Sequence, residues 1–436
     1  MVSRRITMAD EERSTASIFD IKWQAGTVAL ALVVVFAATV IAAPAAQAQT
    51  FSVLHYFTGG LDGAGSTGGV TVGPSGVLYG TAAGGGPYGE GTAFKLIQVH
   101  SSWVLYPLFE FDPGDGDNPI GGVVFGPNGA LYGTTFGSVE NQGTVFEMRP
   151  PLSVCKAFLC YWNETVLHTF TGAPDGADPQ AVNLVFDQAG NIYGTTQGGG
   201  IYGGGTTFEL TPSGGGYTAS ILHDFGNGTD GNLPYSGVVL DTAGNVYGTT
   251  VFGGTGTPEE CGTTCGTVYQ LVPSNGGWVE NVLVDFNGAN GRAPNGNLII
   301  DASGNLYGTT DSGGQIGGNN GDGVVFKLAP SGGGFTYSAL YTFSSCNPVG
   351  GVVMNAAGNF FGVCATGGAN QDGWIFELTN CSRTCSVVDL HDFNGSDGAE
   401  PEASPVLDGN GNLYGTTVAG GTGCYEGCGV VWEIAP

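Results

Sequence analysis

Basic side chains are nearly missing. The 436 residues include 10 Lys and Arg against 37 Asp and Glu, a formal net charge of −27 at pH 7. Four of the ten, Arg4, Arg5, Arg13 and Lys22, precede the one long apolar run, and from Gln49 onward six basic residues stand against 33 acidic ones. Such a surface repels phosphate backbones, which excludes nucleic acid as a partner. It repels anionic membranes too, and leaves cations and neutral polymers acceptable. Sustained helical periodicity is absent outside that apolar run, so an all-β class is expected. There is no Cys-x-x-Cys and no histidine beside a cysteine, so structural zinc lacks its ligand pattern. A phosphate-cradling glycine loop would need a following helix and usually a lysine, and neither is present.

The apolar run is Ala25–Ala43, nineteen residues without a charge, followed by Pro44 and the triplet Ala46-Gln47-Ala48. A basic start, an apolar middle and an A-x-A site predict a secretory signal peptide over 1–48, cleaved before Gln49. An uncleaved anchor is the alternative, because nineteen apolar residues can cross a bilayer as a helix. With cleavage the mature chain has no membrane insertion. The product is extracytoplasmic: secreted, periplasmic or on the cell surface.

All ten cysteines follow the cleavage site. An even number in an exported chain reads as disulfides. The close spacings predict Cys155–Cys160, Cys261–Cys265, Cys381–Cys385 and Cys424–Cys428. The remaining two predict Cys346–Cys364.

What is abundant is glycine, 81 residues, and it recurs in a phrase. Leu78-Tyr79-Gly80-Thr81 returns at Gly133, Gly194, Gly248, Gly308 and Gly415, with a degenerate copy, Phe360-Phe361-Gly362-Val363. The glycines are 53, 61, 54, 60, 54 and 53 residues apart. A period above 40 residues holding only short apolar runs is the signature of propeller blades. Each period resolves into four strand-like segments, a to d, so residues 49–436 are expected to form a seven-bladed β-propeller of four-stranded antiparallel blades. The chain opens on a d-type strand, 51–57, and closes on a c-type strand, 429–434. Pairing them completes the seventh blade and removes an exposed strand edge.

The pattern Asp-Gly-x-x-Pro … Gly-Asn-Leu-Tyr-Gly-Thr-Thr-x-x-Gly-Gly … Gly-Thr-Val-Phe resembles the GloVer tandem repeat of exported bacterial "choice-of-anchor" proteins, over essentially all of 51–436. The resemblance implies an extracytoplasmic propeller of undefined activity, often tied to the envelope by a C-terminal sorting signal. The sequence departs from that pattern in reaching Pro436 with no hydrophobic tail or sorting motif. The strand order also resembles NHL-type and streptogramin-lyase-type propellers, in topology alone.

Candidate functional residues follow from the loops. His55, His168, His223 and His391 recur in strand d as Leu-His-x-Phe, which reads as repeated packing, since a catalytic base is poised once, in one cleft. Asp187, Asp241, Asp301 and Asp408 precede Gly-Asn turns and read as turn caps. On the d–a connections, Asp115, Asp117, Asp175, Asp178, Asp230, Asp397 and Glu400 are expected at the entrance to the axial channel. They are either turn chemistry or a weak calcium site, calcium being the one cofactor the sequence suggests. Tyr88, Phe136, Tyr202, Phe252 and Tyr425 on the b–c loops add a face on which sugar rings could stack. No blade carries an asymmetric acid, base and nucleophile, so no catalytic residue is named. A monomeric, non-catalytic scaffold binding a polysaccharide or an envelope or extracellular protein is expected. A glycan hydrolase or lyase on the same face, and a purely structural repeat protein, are the alternatives.

Overall fold

The computed structural model describes residues 49–114, 116–137, 142–152, 160–180, 183–255, 265–316, 319–381, 384–425 and 427–436. The signal segment 1–48, Asp115, Cys155 and Cys261 lie outside the described residues. The chain divides into Met1–Gln49 with Pro436, and Thr50–Ala435. The second unit holds every strand described below.

Blade 4 shows how the repeat folds. Strand a, Val239–Leu240, is two residues long because Asp241 ends it in a side-chain-capped turn. Asp241 Oδ1 accepts from the Ala243 and Asn245 amides at 2.8 and 2.9 Å, and Oδ2 accepts from the Tyr247 hydroxyl at 3.0 Å. That tyrosine belongs to the recurring phrase in strand b, Val246–Thr250. The turn-cap reading therefore holds, and the tyrosine recurs because it clamps the turn. Strands c, Thr267–Ser274, and d, Gly277–Asp285, complete the antiparallel order a-b-c-d.

Seven such sheets form, and the last uses both ends of the chain. Thr50–Tyr56 pairs antiparallel with Val430–Ala435, in the register Phe51↔Ile434 and Tyr56↔Val430, as the phase of the termini predicted. Blades are numbered 1 to 7 from strand a at Val70–Val72, so the N-terminal strand is strand d of blade 7.

The blades are joined by aromatic packing. The phenylalanine closing each Leu-x-x-Phe of strand d is buried and meets the strand c aromatic of the next blade. Examples are Phe57 on Phe94 (5.3 Å), Phe225 on Tyr269 (4.9 Å) and Phe393 on Trp432 (6.3 Å). The strand c ring in turn fills the space over the phrase glycine. A Cβ on Gly415 would lie 2.2 Å from Trp432, so no larger residue fits there.

The first threonine of the phrase bonds across blades. Thr81, Thr134, Thr195, Thr249, Thr309 and Thr416 each donate to a carbonyl in the next d–a connection. Blade 6 has Val363 and Cys364 where blade 1 has Thr81-Ala82 and the other five have Thr-Thr, and so lacks that donor. In the same blade Cys364 is bonded to Cys346 of the d–a connection, with the Cα atoms 5.2 Å apart. Cys381–Cys385 and Cys424–Cys428 are also bonded, as predicted. Cys160 and Cys265 are disulfide-bonded as well.

Candidate functional site: the axial cavity

The d–a connections and b–c loops share one face, because they pair with each other inside the blades. Backbone bridges join Asp117 to Phe136, Asn232 to Phe252, Arg292 to Ser312 and Ala399 to Ala419. Each connection then passes a proline, Pro119, Pro179, Pro234, Pro294, Pro348 or Pro401, with Ser66 in the same place before blade 1. The residue after it turns to the axis. Thr67, Ile120, Gln180, Tyr235, Asn295, Val349 and Glu402, one per blade, line a cavity of about 230 Å³.

Beneath this ring the backbones pack closely. Asn297 Oδ1 accepts from the Gly237 amide at 2.9 Å, and Ser404 Oγ accepts from the Gly351 amide at 2.8 Å. A Cβ on Gly237 would lie 2.4 Å from the Asn183 carbonyl, so glycine permits that approach.

The lining combines amides and hydroxyls with the aliphatic Ile120 and Val349, one aromatic ring and one carboxylate. Asn295 Oδ1 is buried without a hydrogen-bond partner among the described residues. Glu402 reaches solvent from within the cavity. The protein around it raises its pKa above the ordinary glutamate value, and the charge of Glu400 adds to this. Among the described residues, no lysine or arginine lines the cavity.

Among the described residues, none of the carboxylates expected at the entrance is in this lining. Asp175, Asp230 and Asp397 instead accept from His168, His223 and His391 Nε2 at 3.1, 3.3 and 3.1 Å. Asp62 and His55 form the same pair at 2.9 Å, although Asp62 was not singled out from the sequence. The recurring histidines are thus positioned by the recurring aspartates. Asp117 is buried, Asp178 and Glu400 hold left-handed backbone (φ 56° and 55°), and Glu400 is exposed. Tyr88, Tyr202, Phe252 and Tyr425 are exposed on the b–c loops, and Phe136 is half-buried.

Thr67 and the six post-proline residues were missed because sequence reading followed what recurs. The available signal was the opposite one, a position after the recurring proline, or after Ser66 before blade 1, at which seven units carry seven different residues.

Solved structures with the same fold share little sequence. A polysaccharide lyase, the family-25 ulvan lyase, bound to -[GlcA(1-4)Rha3S]-, has a TM-score of 0.53 and 11% identity, over 87% of this chain and 95% of its own. A second structure of that lyase has a TM-score of 0.51 and 11% identity, over 84% and 94%. The extracellular domain of a proposed one-component system from B. thetaiotaomicron has a TM-score of 0.52 and 13% identity, over 88% of this chain and 40% of that one. These likenesses show the fold alone. No curated protein matches. At the level of sequence, the Gloeobacter/Verrucomicrobia repeat matches residues 161–347 and 315–436, which together span 161–436, and the chain belongs to that repeat family.

Proposed function

We propose that the protein is an exported, non-catalytic binding scaffold that holds a neutral saccharide, such as the end of a polysaccharide chain, in its axial cavity. One observation carries the reading. Six of the seven units place a proline, and the seventh Ser66, directly before a residue that faces the cavity, and those seven side chains are all different. Packing alone would repeat that residue, as it repeats the phrase glycine and the strand d phenylalanine.

The ligand class follows from the lining. Asn295, Gln180, Asn183 and Thr67 offer donors and acceptors for hydroxyl groups, and Tyr235 offers a ring face. Asn295 Oδ1 is an acceptor in need of a donor. A uronate or sulfated glycan would meet Glu402 and no basic residue in a molecule of net charge −27, so it is disfavoured. At about 230 Å³ the cavity is below the roughly 300–1,000 Å³ of pockets for drug-sized ligands, which suits one end of a chain. The exposed Tyr88, Tyr202, Phe252 and Tyr425 would carry the rest of the polymer over the rim. Export rests on the Ala46-Gln47-Ala48 site and the disulfides, and mass spectrometry of the secreted protein should find its N-terminus at Gln49.

A glycan array probed with the protein tests the reading. Neutral oligosaccharides are expected among the hits and uronate-rich ones are not. Hits confined to anionic glycans, or shortened products released from any polysaccharide, would replace it.

A further inference from the structure

A second cluster lies away from the axis, at the junction of blades 3 and 4. His223 stands in strand d of blade 3 (Gly216–Asp224), Asp230 in the connection that follows, and Glu280 in strand d of blade 4. His223 Nε2 lies 3.3 Å from Asp230 Oδ2 and 4.0 Å from Glu280 Oε2. The three ligand atoms all fall within 4.8 Å of one another. None of these residues lines the axial cavity.

Three other His–Asp pairs recur in the molecule and provide an internal control. The position of Glu280, opposite Leu271 of strand c, is taken in the blades after those pairs by Leu105 opposite Leu96, Ala219 opposite Leu210, and Phe51 opposite Ile434. In blade 7 that apolar residue covers the histidine, with Phe51 stacked on His391 at 3.5 Å. Where apolar cover is the pattern, a carboxylate at the same place needs another reason.

The second carboxylate is costly as it stands. The Asp230 side chain is 9% exposed, and both Asp230 Oδ1 and Glu280 Oε1 are buried without a hydrogen-bond partner among the described residues. The charges acting on Glu280 are those of Asp230 and Asp285, both negative. Unpaired buried carboxylate oxygens of this kind are found where a metal is coordinated or a pair is made.

We propose that His223, Asp230 and Glu280 form a site for one divalent transition-metal ion of the zinc class, stapling blade 3 to blade 4. Zinc–ligand bonds of roughly 2.0–2.2 Å at tetrahedral angles place neighbouring donors about 3.4 Å apart. The His223–Asp230 separation of 3.3 Å matches this, and Glu280 Oε2, 4.0 Å from His223 Nε2, would move inward on binding. One imidazole with two carboxylates suits zinc or manganese. Calcium takes six to eight oxygen ligands, so the imidazole disfavours it here. The remaining positions on the metal would be taken by water, since His223 and Glu280 are partly accessible.

The test is calorimetric titration of chelator-treated full chain with Zn²⁺, with Co²⁺ absorption as a second readout. One saturating equivalent is expected. It should weaken at least tenfold in Glu280→Gln and in His223→Gln, and hold within twofold in His391→Gln, which alters a pair lacking the third carboxylate. Tyr235→Ala should leave it unchanged, which separates this site from the saccharide reading. Absence of a saturating equivalent in the wild type would overturn the proposal. So would Glu280→Gln binding like wild type, or Ca²⁺ displacing Zn²⁺ at equal concentration. If His223→Gln fails to fold, Glu280→Gln and the Co²⁺ spectrum decide.

Discussion

Thr416 Oγ1 donates a 2.7 Å hydrogen bond to the carbonyl of Ser66, joining residues 350 positions apart. It is the same bond that five other blades make to their successors, used here to join the last blade to the first. Together with the pairing of Thr50–Tyr56 to Val430–Ala435 it closes the ring. Thr416→Val keeps the shape, removes the donor and leaves a buried carbonyl unpaired. A loss of about 1–3 kcal/mol in urea unfolding is expected. Deleting 49–58 should lower the melting temperature much further, because it bares the edge of blade 7. An unchanged melting temperature in the deletion would contradict closure by both termini.

Blade 6 relies on a covalent link where others use hydroxyls. Val363 and Cys364 replace the threonine pair, and Cys364 is tied to Cys346 across a separation of 18 residues. Chain-entropy reasoning assigns a loop of this length about 3 kcal/mol, and less to Cys381–Cys385 with its separation of 4. Removing both Cys346 and Cys364 should therefore lower the unfolding midpoint more than removing Cys381 and Cys385. Equal effects would show that the bridge does not compensate for the missing hydroxyls.

The phrase glycine is a packing requirement. At Gly415 a Cβ would overlap Trp432, so Gly415→Ala should cost about 1–3 kcal/mol or more through overpacking. Trp432→Phe in the same chain should recover part of that loss, since phenylalanine is what most blades use there. If the double variant is no more stable than Gly415→Ala, the ring–glycine contact is not the cause.

Glu280 makes stability depend on pH in a stated direction. Burial first, then the charges of Asp230 and Asp285, raise its pKa to about 7 from the ordinary 4.5. Between those values the folded chain holds a proton that the unfolded chain has released, so stability falls as pH rises through that window. His223 acts in the opposite sense at lower pH. Its pKa is lowered, so protonation near 6.5 favours the unfolded chain. In the presence of chelator, Glu280→Gln is expected to melt roughly 1–3 °C above wild type at pH 8, with the gap narrowing towards pH 5. A variant that melts below wild type at pH 8 would mean that Glu280 is already satisfied.

Recurrence explains both what could be read from the sequence and what could not. Blade number, strand order and ring closure were legible because each depends on a pattern seen seven times or on the phase of the ends, and three of the disulfides because close cysteine spacing leaves Cys346 and Cys364 for each other. The turn-capping role of Asp241 and its counterparts was legible for the same reason. The axial lining was not, because Tyr235, Asn295 and Glu402 sit at a position with no recurring residue. Glu280 was hidden too. Strand d alternates apolar and polar residues, and only pairing with Leu271 shows that Glu280 is on the inward face, beside a histidine of the preceding blade. Of the carboxylates expected at the entrance, Asp175, Asp230 and Asp397 have side chains bonded to histidines, and the residues after the prolines of the same connections turn to the axis.

The central claim is that Thr67 and the six post-proline residues form one saccharide site, and titration calorimetry with a neutral oligosaccharide taken from the glycan array tests it most directly. Wild type should bind with one-to-one stoichiometry. Tyr235→Ala and Asn295→Ala should each weaken binding by tenfold or more, the loss of about 1.4 kcal/mol that a stacked ring or a paired amide supplies. Thr416→Val, which touches the ring closure and not the cavity, should bind as wild type does at temperatures where it is folded. Binding that persists unchanged in both cavity variants would contradict the account.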